Sequence, residues 1–338
     1  MADPFHDSES HHSGKKGDSY SEKAKKLLAD QKKTWKLLRD NYTLLDKVKT
    51  REFHFDHYTI EVQYNPSRII SSSASIDKAS IAARTCFLCN ENLPVQQKKL
   101  DLGRNFILLC NPYPIFREHF TIPTKEHVPQ EIKVNFKNML LLVKELPDHT
   151  LFYNGPQCGA SAPDHFHFQA GNKSFLPIER KYNHLKNETK ESWFINEKIS
   201  IWGTDKYPGK FIAFESGHIP SLLTAFRIVY SGLEGITRTE QEPLMNILAL
   251  FENQSWRIIL FPRNEHRPSY YYEKADKNIL ISPASVDFGG IFILPQEKDF
   301  EKISKEDIID IFNETSVDDE FFSELKSAVQ NKIENNSS

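Results

Sequence analysis

His165, His167 and Gln169 stand at alternate positions of the run His165-Phe166-His167-Phe168-Gln169, separated only by phenylalanines. On an extended strand alternate residues share a face, so two imidazoles and an amide form one polar row while Phe166 and Phe168 enter the core. A neutral imidazole is a good nucleophile toward phosphorus, and the phosphoramidate it forms can be attacked again. A side-chain amide beside it can donate to a phosphoryl oxygen. Together these groups suit two-step phosphoryl or nucleotidyl transfer. The plainer alternative is a half-buried strand whose histidines only satisfy local hydrogen bonds. Upstream, Asn154 adds an amide, and Gly159-Ala160-Ser161 adds a hydroxyl and backbone N–H groups that small side chains leave open to phosphate oxygens.

A second constellation is Cys86-Phe87-Leu88-Cys89. Its spacing fits two ligands of a tetrahedral zinc and also fits a redox pair, so two further ligands are needed. Cys110 lies in an apolar run and reads as core.

The elements that must hold these residues follow from periodicity. Residues 1–20 carry His6, His11 and His12 among small polar residues and read as a disordered tail. From about Tyr20 to Lys49, apolar residues recur at three- and four-residue steps, which predicts one amphipathic helix (domain range 21–50) with a solvated lysine face. An N-terminal lobe over 51–171 follows. Tyr58–Tyr64 alternates as a strand, and Ser71-Ser72-Ser73 leads to the cysteine pair. Phe106–Cys110, His119–Pro123 and Thr150–Tyr153 read as further strands, and Phe136–Glu145 as a helix. Residues 172–207, rich in Lys and Asn, read as a connecting segment. A C-terminal lobe over 208–303 has expected strands at Lys210–Phe214, Trp256–Phe261, Asn278–Ile281 and Gly290–Leu294. Its expected helices lie near Leu222–Tyr230 and Glu240–Glu252. Acidic helices over 304–338 are expected, with Ser304 and Ser316 as N-caps. The fold class is α+β, two lobes that each carry an antiparallel sheet with packed helices.

With 338 residues the chain can bury a large core, and a formal net charge of -3 gives no electrostatic reason to expect nucleic acid or an anionic membrane as partner. No apolar run reaches the roughly 20 residues of a membrane span and no signal peptide is recognisable, so a cytoplasmic protein is expected. Four cysteines are too few for a disulfide scaffold.

The segment from Asn154 to Gln169 resembles the active-site segment of the histidine-triad superfamily, in the branch with Gln in place of the third histidine. That branch includes galactose-1-phosphate uridylyltransferase, diadenosine tetraphosphate phosphorylase and the GDP-hexose phosphorylases. Its pattern is Asn, then Gly-x-Ser, then His-x-His-x-Gln. The sequence keeps each element and departs by placing Asp164 between Pro163 and His165. The resemblance covers about residues 55–300 and is strongest between Cys86 and Gln169. It implies that His167 is the nucleophile, that Gln169 holds the phosphoryl group of the covalent intermediate, and that Ser161 and Asn154 touch phosphate or orient the site. It also implies a structural zinc on Cys86, Cys89, His119 and His165, with His127 as the substitute for His119. Gln63, Asn65 and Arg68 resemble a substrate-reading strand of the GDP-hexose phosphorylases, with an ordinary edge strand as the alternative. Arg263 and Arg267 resemble their C-terminal phosphate or leaving-group contacts.

The implied activity is a nucleotidyltransferase or phosphorylase. Its substrates would be a nucleotide sugar or dinucleoside polyphosphate with phosphate or a sugar phosphate as acceptor, and a homodimer stays open. A histidine-triad hydrolase and a non-catalytic, zinc-stabilised nucleotide-binding protein are the alternatives.

Overall fold

The structure is a computed structural model that describes residues 18–69, 78–239 and 241–337. The expected tail up to residue 17 and the Ser71-Ser72-Ser73 segment lie outside the described residues. Strands β3 (Lys99–Leu102), β4 (Phe106–Cys110), β5 (His119–Pro123), β6 (His149–Asn154) and β7 (His167–Asn172) come from the first half of the chain. Strands β8 (Glu191–Ile195), β9 (Ser200–Thr204), β10 (Phe211–Ser216), β11 (Met245–Glu252) and β12 (Ser255–Pro262) come from the second. They form one ten-stranded antiparallel sheet in the order β3-β4-β5-β7-β6-β11-β12-β10-β9-β8.

The two lobes, each expected to carry its own antiparallel sheet, instead share this one sheet and appear in it as a repeat. Counted from either outer edge, each half runs first, second, third, fifth, fourth strand, and each places a helix between its third and fourth strands: Phe136–Glu145 in one, Ile219–Thr237 in the other. The halves meet where β6 pairs with β11, Asn154 opposite Asn246. The α+β class holds, with antiparallel pairing throughout the large sheet.

Alternation along each strand sends side chains to two cores. Phe168 and Ala170 of β7, with Ile212 and Phe214 of β10, join a cluster covered by the N-terminal helices and by helices Phe136–Glu145, Ile219–Thr237 and Asp319–Ser337. The opposite face, with Phe152, Phe211 and Ala213, packs under helices Pro177–Thr189 and Lys305–Thr315 and a three-stranded sheet. That small sheet orders β1 (Lys49–His54), β2 (Thr59–Tyr64) and β13 (Ile291–Leu294), and β13 joins β2 in parallel. The chain from the second half thus closes over the first. Among the described residues no helix is long and apolar enough to cross a membrane.

Several expectations are corrected. The N-terminal helix is two, Tyr20–Thr34 and Lys36–Leu45, separated at Trp35, whose backbone is extended (φ -118°, ψ 105°). The stretch expected as a helix over Glu240–Glu252 contains β11. Its run Met-Asn-Ile-Leu-Ala-Leu-Phe is buried on both faces at the middle of the sheet, where a strand loses its alternation. Asn278–Ile281 is not a strand: the Leu280 N–H donates to the Asp299 carboxylate and that of Ile279 to the Tyr270 carbonyl. The segment 172–207, expected as a connector, holds helix Pro177–Thr189, the edge strand β8 and its neighbour β9. The helix hides Ile178, Tyr182 and Leu185 behind its polar face. Ser304 caps its helix with Asp307 in a capping box, whereas Ser316 ends that helix and Asp318 caps the next by accepting from the Phe321 N–H.

Candidate active site and metal centre

Phe166 and Phe168 are fully buried, with ring centroids 4.9 Å apart at 87°; Phe166 stacks near Tyr153 and Phe168 meets the same ring edge-on. Burying two such rings stabilises this strand by about 1.5–3 kcal/mol each and fixes which face His167 and Gln169 present. Regular pairing starts at His167, so His165 stands just before the strand, where its N–H donates to the Ala162 carbonyl.

β6 and β7 stay paired only as far as Phe152 and Gln169. Beyond them the side chain of Gln130 enters between the strands. It donates to the carbonyls of Asn154 and His167 (3.0 Å each) and accepts from the His167 N–H (2.8 Å). Gln130 therefore holds the His167 backbone on both sides, and sequence reasoning missed it because nothing local marks a glutamine 37 residues away.

The His167 ring is fixed in one tautomer. Its Nδ1 lies 2.9 Å from the His165 carbonyl oxygen, which can only accept, so Nδ1 carries the proton and Nε2 keeps a free lone pair. Burial pulls its pKa down to about 4, which keeps the imidazole neutral. Gln169, half-buried two positions on, directs its Oε1 at His119 Nε2, 2.9 Å away.

Cys86 Sγ, Cys89 Sγ, His127 and His165 bring one ligand atom each within 4.8 Å of one another, a set that could hold a metal ion. His165 Nδ1 is 3.3 Å from Cys86 Sγ and 3.6 Å from Cys89 Sγ, and His127 Nδ1 is 3.1 Å from Cys89 Sγ. Tetrahedral zinc with bonds of about 2.3 Å to sulfur and 2.0 Å to nitrogen would separate S and N by about 3.5 Å, so the donors fit that ion. The groups hydrogen-bonded behind the two histidines fit as well. His165 Nε2 donates to the Thr124 carbonyl (2.8 Å), which leaves its Nδ1 unprotonated toward the sulfurs. His127 Nε2 faces Asp164 at 3.7 Å, and Asp164 is held by Arg84 at 2.8 Å. Asp164, where the sequence departs from the pattern it resembles, thus has a place beside the cluster.

His119 is a correction: it is not in the cluster. β5 runs antiparallel to β7 with Pro123 opposite His167 and His119 opposite Gly171. A partner for His165 must lie past the end of β5, where His127 is, whereas His119 is carried to the far end of the pair. The antiparallel register was the signal that could have chosen between the two.

The remaining candidates divide. Asn154 Oδ1 accepts from Asn246 Nδ2 (3.0 Å), the Ser285 N–H (2.9 Å) and Ser285 Oγ (2.6 Å), latching the two halves of the sheet together. Ser161 is half-buried, and its carbonyl accepts from Arg84. It follows Gly159, whose φ of +91° and close approach to Ala284 exclude a side chain. Gln63 and Asn65 bond to each other (3.1 Å), and Asn65 and Arg68 donate to the Pro114 and Tyr113 carbonyls, fastening the small sheet onto the loop before His119. Arg263 is fully engaged. It donates to the Thr315, Pro283 and Glu265 carbonyls and to Asn246 Oδ1, so it holds the fold together and has no fork left for a phosphate. Arg267 lies 4.0 Å over the Tyr271 ring and donates to Ser282. Two surface cavities of about 280 and 270 Å³ open elsewhere, and neither is lined by His167 or Gln169. Within the row His165 and His167 are buried, His167 being only 4% exposed, while Gln169 is half-buried.

Two family descriptions match successive parts of the chain: "Domain of unknown function (DUF4922)" over residues 27–172, and "GDPGP1-like, C-terminal domain" over residues 183–336. Galactose-1-phosphate uridylyltransferase of Clostridium acetobutylicum is 26% identical over 261 residues, 67% of this chain and 50% of that protein. The enzyme of the same name from Staphylococcus saprophyticus is 29% identical over 165 residues, 42% of this chain and 33% of that protein. The chain therefore spans half or less of the length of these relatives. In structure it is similar to yeast Ap4A phosphorylase Apa2, with a TM-score of 0.52 at 15% identity over 85% of this chain and 94% of that one. The same enzyme in complex with AMP gives 0.55 over 86% and 96%. By sequence the chain is thus similar to galactose-1-phosphate uridylyltransferases, and by fold to yeast Ap4A phosphorylase.

Proposed function

We propose that the protein is a nucleotidyltransferase of the phosphorylase or uridylyltransferase type, working through a covalent nucleotidyl adduct on His167. The observation that carries this reading is the tautomer of His167: with the proton on Nδ1 and held by the His165 carbonyl, the Nε2 lone pair is free on the polar side of the strand. Nε2 attacks the α-phosphorus of a nucleotide sugar or dinucleoside polyphosphate. The bond from that phosphorus to the bridging oxygen breaks, and the leaving phosphate departs with the electron pair. Phosphate or a sugar phosphate then attacks the same phosphorus, and the P–N bond breaks back to a neutral imidazole. Gln169 donates to a non-bridging oxygen in both steps, and Ser161 and the Asn154 amide line the approach. Gln130 keeps the strand from shifting as the bond forms.

Zinc is the metal that suits Cys86, Cys89, His127 and His165. When bound it ties His165 to the cysteine loop and so fixes the residue whose carbonyl orients His167. A reducing cytoplasm suits four free thiols, two of them in that cluster.

The test is a screen of UDP-glucose, GDP-glucose and Ap4A, each with inorganic phosphate or a hexose phosphate, with His167→Ala as control. The reading expects phosphate-dependent turnover and a nucleoside monophosphate on the peptide carrying residues 165–169 in peptide mass spectrometry. No adduct on that peptide with any of these nucleotides, or turnover that survives His167→Ala, sinks it.

A further inference from the structure

We infer that His119 is a positioning residue: it sets which end of the Gln169 amide faces the reacting phosphate. The inference rests on the nucleotidyl-transfer reading above and adds a residue to it.

A glutamine amide is nearly symmetric in shape, yet only its NH2 end can donate to a phosphoryl oxygen. Something must choose the orientation. His119 Nδ1 accepts the Ile115 backbone N–H at 3.1 Å, so that nitrogen is unprotonated. In a neutral ring the proton is then on Nε2, and Nε2 faces Gln169 at 2.9 Å. The atom of Gln169 that meets it must be the carbonyl oxygen, because an NH2 there would set donor against donor. Gln169 therefore turns its NH2 away from His119, and no described residue takes it. Burial first, and the positive charge of Arg68 second, push the His119 pKa down to about 3, so the ring stays neutral.

The His119 ring has little freedom to offer the other nitrogen. Its backbone N–H donates to Tyr42 Oη (3.2 Å), and its carbonyl accepts from Tyr42 Oη (3.3 Å) and from the Asn111 N–H (2.9 Å). The edge of the ring meets Phe116 at 5.2 Å and 81°. Phe116 in turn occupies the space left by Gly171, where a Cβ would lie 2.7 Å from its ring. Tyr42 belongs to the second N-terminal helix, so that helix has a part in holding the site.

Two measurements on the full chain test this. Nitrogen NMR of histidine-labelled protein, with the His119 signals assigned by their loss in His119→Gln, should show a neutral ring protonated on Nε2 at pH 7. A ring protonated on Nδ1, or on both nitrogens, overturns the inference.

The second is single-turnover formation of the His167 adduct with UDP-glucose, GDP-glucose and Ap4A as probes. His119→Phe, which keeps ring volume and loses the donor, should slow adduct formation at saturating nucleotide by about 10–100-fold with little change in the half-saturating concentration. His119→Gln, which restores a donor, should recover most of that rate. In a Gln169→Ala background His119→Phe should have no further effect, since the group it orients is gone. An undiminished effect in that background, or no rescue by His119→Gln in a chain with an unchanged melting temperature, counts against it. Should His119→Phe not fold, the tautomer of the unaltered chain, assigned with His119→Gln, still decides. A wild-type chain that forms no adduct defeats the transfer reading and the positioning role with it, whereas the wrong tautomer defeats the role of His119 alone.

Discussion

Glu242→Gln should stabilise the protein at alkaline pH and do nothing at acid pH. Glu242 lies just before β11, and its carboxylate accepts from Tyr153 Oη and from the Ile132 N–H, both at 2.6 Å. Burial raises its pKa from the ordinary 4.5 to about 7; those two hydrogen bonds oppose the rise, and the charge of Glu131 adds to it. Between pH 4.5 and 7 the native state thus binds more protons than the unfolded chain, and stability falls as pH rises through this window. Once the group is ionised on both sides the native state is destabilised by about 3 kcal/mol at most, and nearer 2 after allowing for its partial exposure. A glutamine keeps both contacts, its oxygen toward Ile132 and its NH2 toward Tyr153, and carries no charge to bury. With about 2.1 cal/mol/K of unfolding entropy per residue, 2 kcal/mol is roughly 3 °C in a chain of 338 residues. Thermal melts of both proteins should differ by that much at pH 8.5, with the variant higher, and converge near pH 4.5. An offset of the same size at both pH values, or a less stable variant at pH 8.5, would refute the linkage.

Other outcomes follow from single residues. Gly159→Ala should lower the melting temperature by an amount corresponding to about 1–3 kcal/mol and slow adduct formation, because its φ of +91° and a Cβ 2.5 Å from Ala284 force the loop bearing Ser161 to move; unchanged melting and rate would contradict this. Elemental analysis of purified protein should find about one zinc per chain, lost in Cys89→Ser and His127→Ala but kept in His119→Phe. Arg263→Met should cost about 3–5 kcal/mol in denaturant unfolding, since it strands several buried acceptors; a stable variant with a raised KM would instead restore Arg263 as a phosphate ligand.

What depends on neighbours in the chain was legible from the residues alone. A period of two with phenylalanine between polar residues put Phe166 and Phe168 in the core and His167 and Gln169 on the other face, because strand geometry leaves no other arrangement. The helix over Phe136–Glu145 and the strands at Phe106–Cys110 and His119–Pro123 were legible for the same local reason. What failed locally was β11, where burial on both faces erased the period that separates a strand from a helix.

Which distant groups meet was set by the fold. The choice of His127 over His119 at the cysteines came from the register of β5 against β7, and the clamp of Gln130 on His167 from a splay between β6 and β7. The latch of Asn154 on Asn246 and Ser285, and the engagement of every arm of Arg263, came from the two halves sharing one sheet. Hydrogen bonds and metal ligation act over about 2–4 Å, and the residues that satisfy them lie tens to hundreds of positions apart. The spacing within the segment His165-Phe166-His167-Phe168-Gln169 could therefore name the groups, while the fold alone assigned each nitrogen and oxygen its partner.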